Sequence, residues 1–289
     1  MGATVTEMVR TFGRQLYRLE EHLDRLSRSL CYVRFDIGMS IEQLAGVSRE
    51  LVGHNIQLAD PEDELALCIF ITAGENPVYA GSAGGTARLT PTVCIHTFPL
   101  AFELWADQIG QGAHLVTPSI RHIPPQCYDS NMKCRSRMQY YLADQEAHLV
   151  DPDASALLLD LEGNVTETSG ANFLIVQDGT IFSPPPRNIL PGISRDVVIE
   201  LAAKLDISFV EQDFQVYNVI NADEAFTATT PYCLMPVTRI NGLAIGDGRP
   251  GPIYGRLMQA WSREVGLDII KQMAAGAERR QKSIPMVPT

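Results

Sequence analysis

A chain of 289 residues, 45% hydrophobic and 20% charged, has the composition of a soluble globular protein and is long enough to bury a core without disulfide or metal staples. Its net charge of −11, from 34 acidic against 23 basic residues, excludes electrostatic binding to nucleic acid or to anionic membrane surfaces, since both need a basic face. No apolar run approaches the roughly 18 residues of a membrane span, and the opening MGATVTEMVRTFGRQ carries Glu7 and Arg10 where a secretory signal would be apolar. The six cysteines are scattered with no CxxC pair, so free thiols in a reducing cytoplasm are expected.

In chain order, Val5–Phe12 reads as a strand and Gly13-Arg14 as a turn. A helix follows over 20–30, with Leu23, Leu26 and Leu30 at helical spacing. Ser40-Ile-Glu-Gln43 has the pattern of a capping box that starts a second helix, ending near Val52. The run 64–73 is a dense apolar strand. The stretch 74–90, rich in Gly, Ala and Thr, reads as a long loop, and 92–98 and 113–116 as further strands. A helix is expected over 132–149, then a strand at 156–160. Asp178-Gly179 and Asn241-Gly242 are hairpin turns between alternating apolar stretches. Helices are expected over 194–205 and 252–265, strands over 226–229 and 234–240, and a frayed polar tail from 277. A domain boundary near residue 110 suits this order.

Lysine is scarce: of 23 basic residues only Lys133, Lys204, Lys271 and Lys282 are lysines. An enzyme that forms a Schiff base needs one lysine in an apolar setting, where the neutral amine is favoured. Lys282 lies in the tail, Lys271 near the last helix, and Lys204 on the polar side of its helix. Lys133 is the remaining candidate, with an exposed structural lysine as the plain alternative. Leu190-Pro-Gly-Ile-Ser-Arg195 opens a helix whose first N–H groups, at Ile193 and Ser194, suit a phosphate, although an ordinary helix start has the same form. Thr229-Thr230 ends an apolar strand and offers hydroxyls. Glu167 lies between two apolar strands, where a carboxylate is costly to bury unless paired; a solvated turn glutamate is the alternative.

Glu167-Thr-Ser-Gly-Ala-Asn172-Phe173, Ile181-Phe-Ser183 and Leu190-Pro-Gly-Ile-Ser-Arg195 together resemble the signature of class IV aminotransferases. These are the fold-type-IV enzymes of pyridoxal 5'-phosphate (PLP), among them branched-chain, D-amino-acid and (R)-amine transaminases and aminodeoxychorismate lyase. His22-Leu-Asp-Arg25-Leu26 with Ser29 is similar to a further family segment, as is Glu224-Ala-Phe with Thr229-Thr230 and Met235-Pro-Val237. The resemblance implies an α/β (α+β two-domain) fold: a small α+β domain over 1–109, a larger mixed-sheet, barrel-like PLP domain over 110–276, and a tail over 277–289. It implies that Lys133 carries PLP as a Schiff base and shuttles the substrate proton. Glu167 would face the pyridine nitrogen, and Arg25, Ile193, Ser194, Thr229 and Thr230 would surround the phosphate, with Leu190 packed on the ring. The implied partners are an amino donor, a 2-keto acid and a second copy of the chain in a homodimer.

The chain departs from the family pattern in three places. Met1-Gly-Ala-Thr-Val-Thr-Glu7 is similar to a family segment that strands normally precede; the resemblance implies either a truncated or misassigned start or a remodelled small domain without those strands. Leu174 and Ser183 replace an aromatic residue and a threonine. The arginines that bind substrate carboxylate in relatives have no counterpart, including one near Phe70; Arg88 in the 74–90 loop is the candidate clamp, with a solvated loop arginine as the plain alternative. Arg135 is expected on the outer face of the 132–149 helix; Arg137 stays open. Two further readings remain: a PLP lyase, and a non-catalytic homologue that keeps the fold.

Overall fold

The computed structural model describes residues 2–75 and 90–283. Two compact units divide the chain: Met1–Leu100 with Asn131–Arg137, and Ala101–Ser130 with Met138–Thr289. The expected boundary near 110 lies at Leu100 instead, and a short later segment returns to the first unit.

The first unit consists of β1 (Thr4–Phe12), β2 (Gln15–Leu16), α1 (Leu19–Val33), α2 (Ile41–Asn55), β3 (Leu65–Thr72) and β4 (Thr92–Pro99). Its sheet is antiparallel in the order β2-β1-β3-β4. Alternation along the strands sends Val5 and Val9 of β1 and Leu67, Ile69 and Ile71 of β3 to one face. There they pack with Leu19, Leu23, Leu26 and Leu30 of α1 and Leu44 of α2. The capping box at Ser40 is present: its hydroxyl accepts from Gln43 N–H at 3.2 Å and Gln43 Oε1 accepts from Ser40 N–H at 2.8 Å.

The second unit contains α3 (Ala106–Gln111), β5 (Ala113–Val116), α4 (Met138–His148), β6 (Ser155–Leu159), β7 (Val165–Thr168), β8 (Asn172–Gln177), β9 (Thr180–Ser183), α5 (Ile193–Lys204), β10 (Phe209–Glu211), α6 (Val216–Ile220), β11 (Glu224–Thr229), β12 (Cys233–Ile240), β13 (Leu243–Ala244), α7 (Pro252–Val265) and α8 (Ile269–Ser283). The strands run β10-β9-β8-β11-β12-β5-β6-β7, and β7 pairs back onto β8, so six of them close into a barrel. Its interior is filled by alternate residues, among them Leu115, Leu157, Leu159, Phe173, Ile175, Ala225 and Val237. Asp178 (φ 50°) and Gly179 (φ 75°) take the left-handed conformation that a two-residue hairpin turn demands. This α/β architecture, with a barrel in the larger unit, is the fold the sequence implied.

Two local expectations are corrected. The helix expected from 132 begins at Met138. Residues 131–137 instead lie along the edge of β1: Thr6 N–H donates to Lys133 O at 3.0 Å, Cys134 bridges Val5, and Arg135 N–H donates to Thr4 Oγ1 at 3.2 Å. These bonds to a strand edge outweigh local helical preference. The tail is helical to Ser283, because Gly276 lies against the Phe102 ring and Ala277 is buried. Among the described residues, no helix is long and apolar enough to cross a membrane.

Glu224 shows how the larger unit is tied together. Its carboxylate is buried and caps α7, accepting from Ile253 N–H at 2.9 Å and Tyr254 N–H at 3.0 Å. A Cβ at Gly251 would stand 2.1 Å from the Glu224 carboxyl carbon, so only glycine fits beside the cap. Glu224→Ala orphans two buried donors and is expected to cost about 2–3 kcal/mol, read as a lower urea midpoint at unchanged slope.

Candidate active site

In the first unit a carboxylate is buried inside a strand. Glu7 of β1 is fully buried, and α1 presents His22 and Arg25, one turn apart, to the same point. Arg25 forks onto it, with Nε 2.7 Å from Oε1 and Nη2 2.8 Å from Oε2, and His22 Nδ1 lies 2.8 Å from Oε2. Burial alone would push the Glu7 carboxyl up. The Arg25 charge, with hydrogen bonds from Arg25 and His22, outweighs it and holds the group down at about 2. Burial pushes the His22 imidazole below its ordinary value; Glu7 opposes this, while the charges of Arg25 and Lys133 add to it. Lys133 is half-buried and close enough for its charge to act on His22.

In the second unit the barrel seam is the single β7–β8 pair Glu167↔Asn172. The Glu167 carboxylate is buried and accepts from Tyr140 O–H at 2.9 Å, Asn172 Nδ2 at 3.1 Å and Leu190 N–H at 3.0 Å. Three donors from three elements hold it in one orientation. His122 Nε2, also buried, lies 3.1 Å from the Tyr140 hydroxyl. Asn172 Nδ2 donates as well to Leu190 O at 2.8 Å, which ties the carboxylate to the Leu190-Pro-Gly192 turn. That turn opens α5 with Gly192 as N-cap and no side-chain cap, so the N–H groups of Ile193 and Ser194 point outward from a positive helix end. A Cβ at Gly192 would meet Asn172 Oδ1 at 2.1 Å, which explains the glycine.

The candidates named from the sequence fall in both units. Lys133 and Arg25 lie in the first; Glu167, Leu190, Ile193, Ser194, Thr229 and Thr230 lie in the second. The Thr229 hydroxyl donates to Gly170 O at 2.7 Å and pins the turn after Glu167; Thr230 follows at the strand end, half-buried. Arg88 lies outside the described residues. Arg135 is not on an outer helix face: it lies over Thr6, Cys68 and Phe70 on the β1–β3 sheet. Sequence reasoning missed the partners Glu7, Tyr140, His122 and Asn172. A signal existed for Glu7, a lone acid among the buried residues of TVTEMVRTF.

An uncapped helix N-terminus can accept a small anionic group, and here it is joined through Leu190 and Asn172 to a fixed acid at the barrel seam. The profile of the amino-transferase class IV family matches residues 4–240. The branched-chain-amino-acid aminotransferase of Salmonella typhimurium is 29% identical over 266 residues, covering 90% of this chain and 83% of its own. The crystal structure of the Escherichia coli branched-chain amino acid aminotransferase superposes with a TM-score of 0.82 at 28% identity, covering 90% and 84%. The T.th. branched-chain amino acid aminotransferase with pyridoxamine 5'-phosphate gives 0.80 at 27% identity, covering 91% and 85%. The chain belongs to the class IV amino-transferase family. Its activity is that of an aminotransferase, and nothing in these comparisons favours the lyase alternative.

Proposed function

We propose that this aminotransferase moves the amino group of a branched-chain aliphatic amino acid to a 2-keto acid, with pyridoxal 5'-phosphate as cofactor. The donor set suits that group. An aldehyde needs an amine, a phosphate needs a cation and N–H donors, and a pyridine nitrogen needs an acid. Lys133, Arg25 with the α5 N-terminus, and Glu167 supply these in turn. When bound, PLP supplies an electron sink for the charge left when the substrate loses its Cα proton.

Lys133 attaches the cofactor and moves the proton between the substrate Cα and the cofactor C4′. Glu167 keeps a proton on the pyridine nitrogen, and Tyr140, Asn172 and the Leu190 N–H keep Glu167 in place. Arg25, Ile193, Ser194 and Thr230 take the phosphate, with Thr229 shaping the turn beside them and Leu190 packing on the ring. The chain works as a homodimer in the cytoplasm, a setting that suits its six free cysteines.

The observation that carries the reading is the chain of bonds from Glu167 through Asn172 and Leu190 to the uncapped start of α5. It joins a ring-nitrogen acid to a phosphate cradle in one unit. The test is a single half-reaction on PLP-loaded protein, followed by absorbance. L-leucine, L-valine and L-isoleucine are expected to convert the cofactor to its pyridoxamine form, and a 2-keto acid to reverse it. Conversion by D-amino acids or (R)-amines alone overturns the substrate class; conversion by none of the panel supports the non-catalytic reading.

A further inference from the structure

An amino acid or keto acid carries a carboxylate next to its reacting carbon, and an enzyme that binds one needs a partner for that charge. Several guanidinium groups in this chain end on carboxylates, among them Arg25 on Glu7, Arg195 on Glu211 and Arg280 on Glu103, and others donate to backbone carbonyls, as Arg10 does to Thr11 O, Arg14 to Pro61 O, Arg121 to Pro118 O and Arg256 to Leu205 O. Arg135 is different. It is exposed, yet its head is held by neutral groups alone. Nε lies 3.3 Å from Thr6 Oγ1, Nη2 lies 2.9 Å from Cys68 Sγ, and the guanidinium carbon is 5.7 Å from the centre of the Phe70 ring. The Thr6 hydroxyl gives its own proton to Ile69 O at 2.8 Å, which leaves Oγ1 to accept from Arg135. Thr6 and Cys68 are buried strand residues, so the fork rests on a rigid sheet. Among the described residues no carboxylate pairs with it, in a chain with 34 acids to 23 bases.

Position gives this cation its meaning. Arg135 stands two residues after Lys133 in a segment laid antiparallel along the edge of β1. In such a segment residues i and i+2 share a face and lie about 6–7 Å apart. A guanidinium fixed there, with donors to spare, offers the two-pronged geometry that a carboxylate takes best.

We propose that Arg135 is the receptor for a substrate carboxylate in the reaction at Lys133. Thr6, Cys68 and Phe70 act as positioning residues that hold the fork ready. The proposal rests on the assignment of Lys133 as the point of cofactor attachment, so that assignment is tested first: borohydride should fix the cofactor on residue 133 of the parent protein. Fixation elsewhere overturns the Lys133 assignment, and this proposal with it.

The second measurement is equilibrium binding of unreactive carboxylates to the PLP-loaded protein by calorimetry, using 4-methylpentanoate as a monocarboxylate and glutarate as a dicarboxylate. R135M and R135Q both remove the charge, and the methionine keeps the packing on Phe70, so one folded variant suffices. Each is expected to weaken binding at least about tenfold, the scale of one charge-assisted bond or more. R135K should recover part of the loss, while borohydride fixation at Lys133 and the melting temperature stay at parent values. Equal losses for both ligands place Arg135 on the carboxylate next to the reacting carbon. A loss for glutarate alone places it on the distal carboxylate of a dicarboxylic substrate. Parent-like affinity for both ligands overturns the proposal.

Discussion

Lys133→Ala is expected to slow the half-reaction by at least about 10³-fold, because one substitution removes both the covalent attachment and the proton carrier. The loss should be catalytic and not structural. Lys133 is tied to β1 through its backbone carbonyl, which accepts from Thr6 N–H at 3.0 Å, and an alanine keeps that bond. Melting temperature should therefore hold while borohydride fixation at residue 133 disappears. A second signature separates loss of the Lys133 charge from general damage. Lys133 is one of the groups that depress the His22 imidazole, so its removal should let the His22 titration move upward, as read from its NMR resonances. An active Lys133→Ala protein would leave the chemistry with some other lysine.

Glu7→Gln carries the largest expected effect on stability. Arg25 is 3% exposed and both prongs of its fork end on Glu7. Removing the carboxylate's charge leaves a guanidinium buried beside a neutral amide, and breaking such a pair costs about 3–5 kcal/mol. The urea midpoint should fall accordingly with an unchanged slope. The double variant Glu7→Gln, Arg25→Met should recover much of the loss, since no charge is then left buried.

The same triad sets an acid limit. Glu7 titrates at about 2 in the fold against 4.5 for an ordinary glutamate. Its stabilisation is therefore complete above 4.5 and is lost as pH falls toward 2. The His22 pKa is lowered from 6.5 by burial, so the fold prefers the neutral ring, and this contribution is also lost on acidification, starting as pH drops below 6.5. Both act in one direction, and chemical denaturation across pH 7 to 3 should show stability falling in two stages. The lower stage should be missing in Glu7→Gln.

What could be read from the residues, and what could not, follows from the range of the forces involved. Capping boxes, Asp-Gly and Asn-Gly turns and apolar alternation are written within four to eight residues, so α2, the β8–β9 hairpin and the barrel strands β8, β11 and β12 were legible. Glu167 was legible as a costly acid between apolar strands. Its donors were not: Tyr140 is 27 residues away and Leu190 is 23, and only the closed barrel brings them to it. The segment around Lys133 was misread as helix for the same reason. Its backbone partners are Thr4, Val5 and Thr6, some 130 residues earlier, and nothing in Met132-Lys-Cys-Arg-Ser136 announces them. Arg135 was misplaced as a direct consequence, since a helix turns successive side chains by 100° and an extended segment by 180°.

The barrel seam has a further consequence. β7 and β8 meet through one residue pair, Glu167↔Asn172, and the proposed ring-nitrogen acid is a member of it. A ligand that engages Glu167 would therefore brace this joint of the wall, and the apoprotein would be left to close it alone. By mass action, cofactor supply then becomes a determinant of how much folded enzyme a cell retains, beyond how much of it is active.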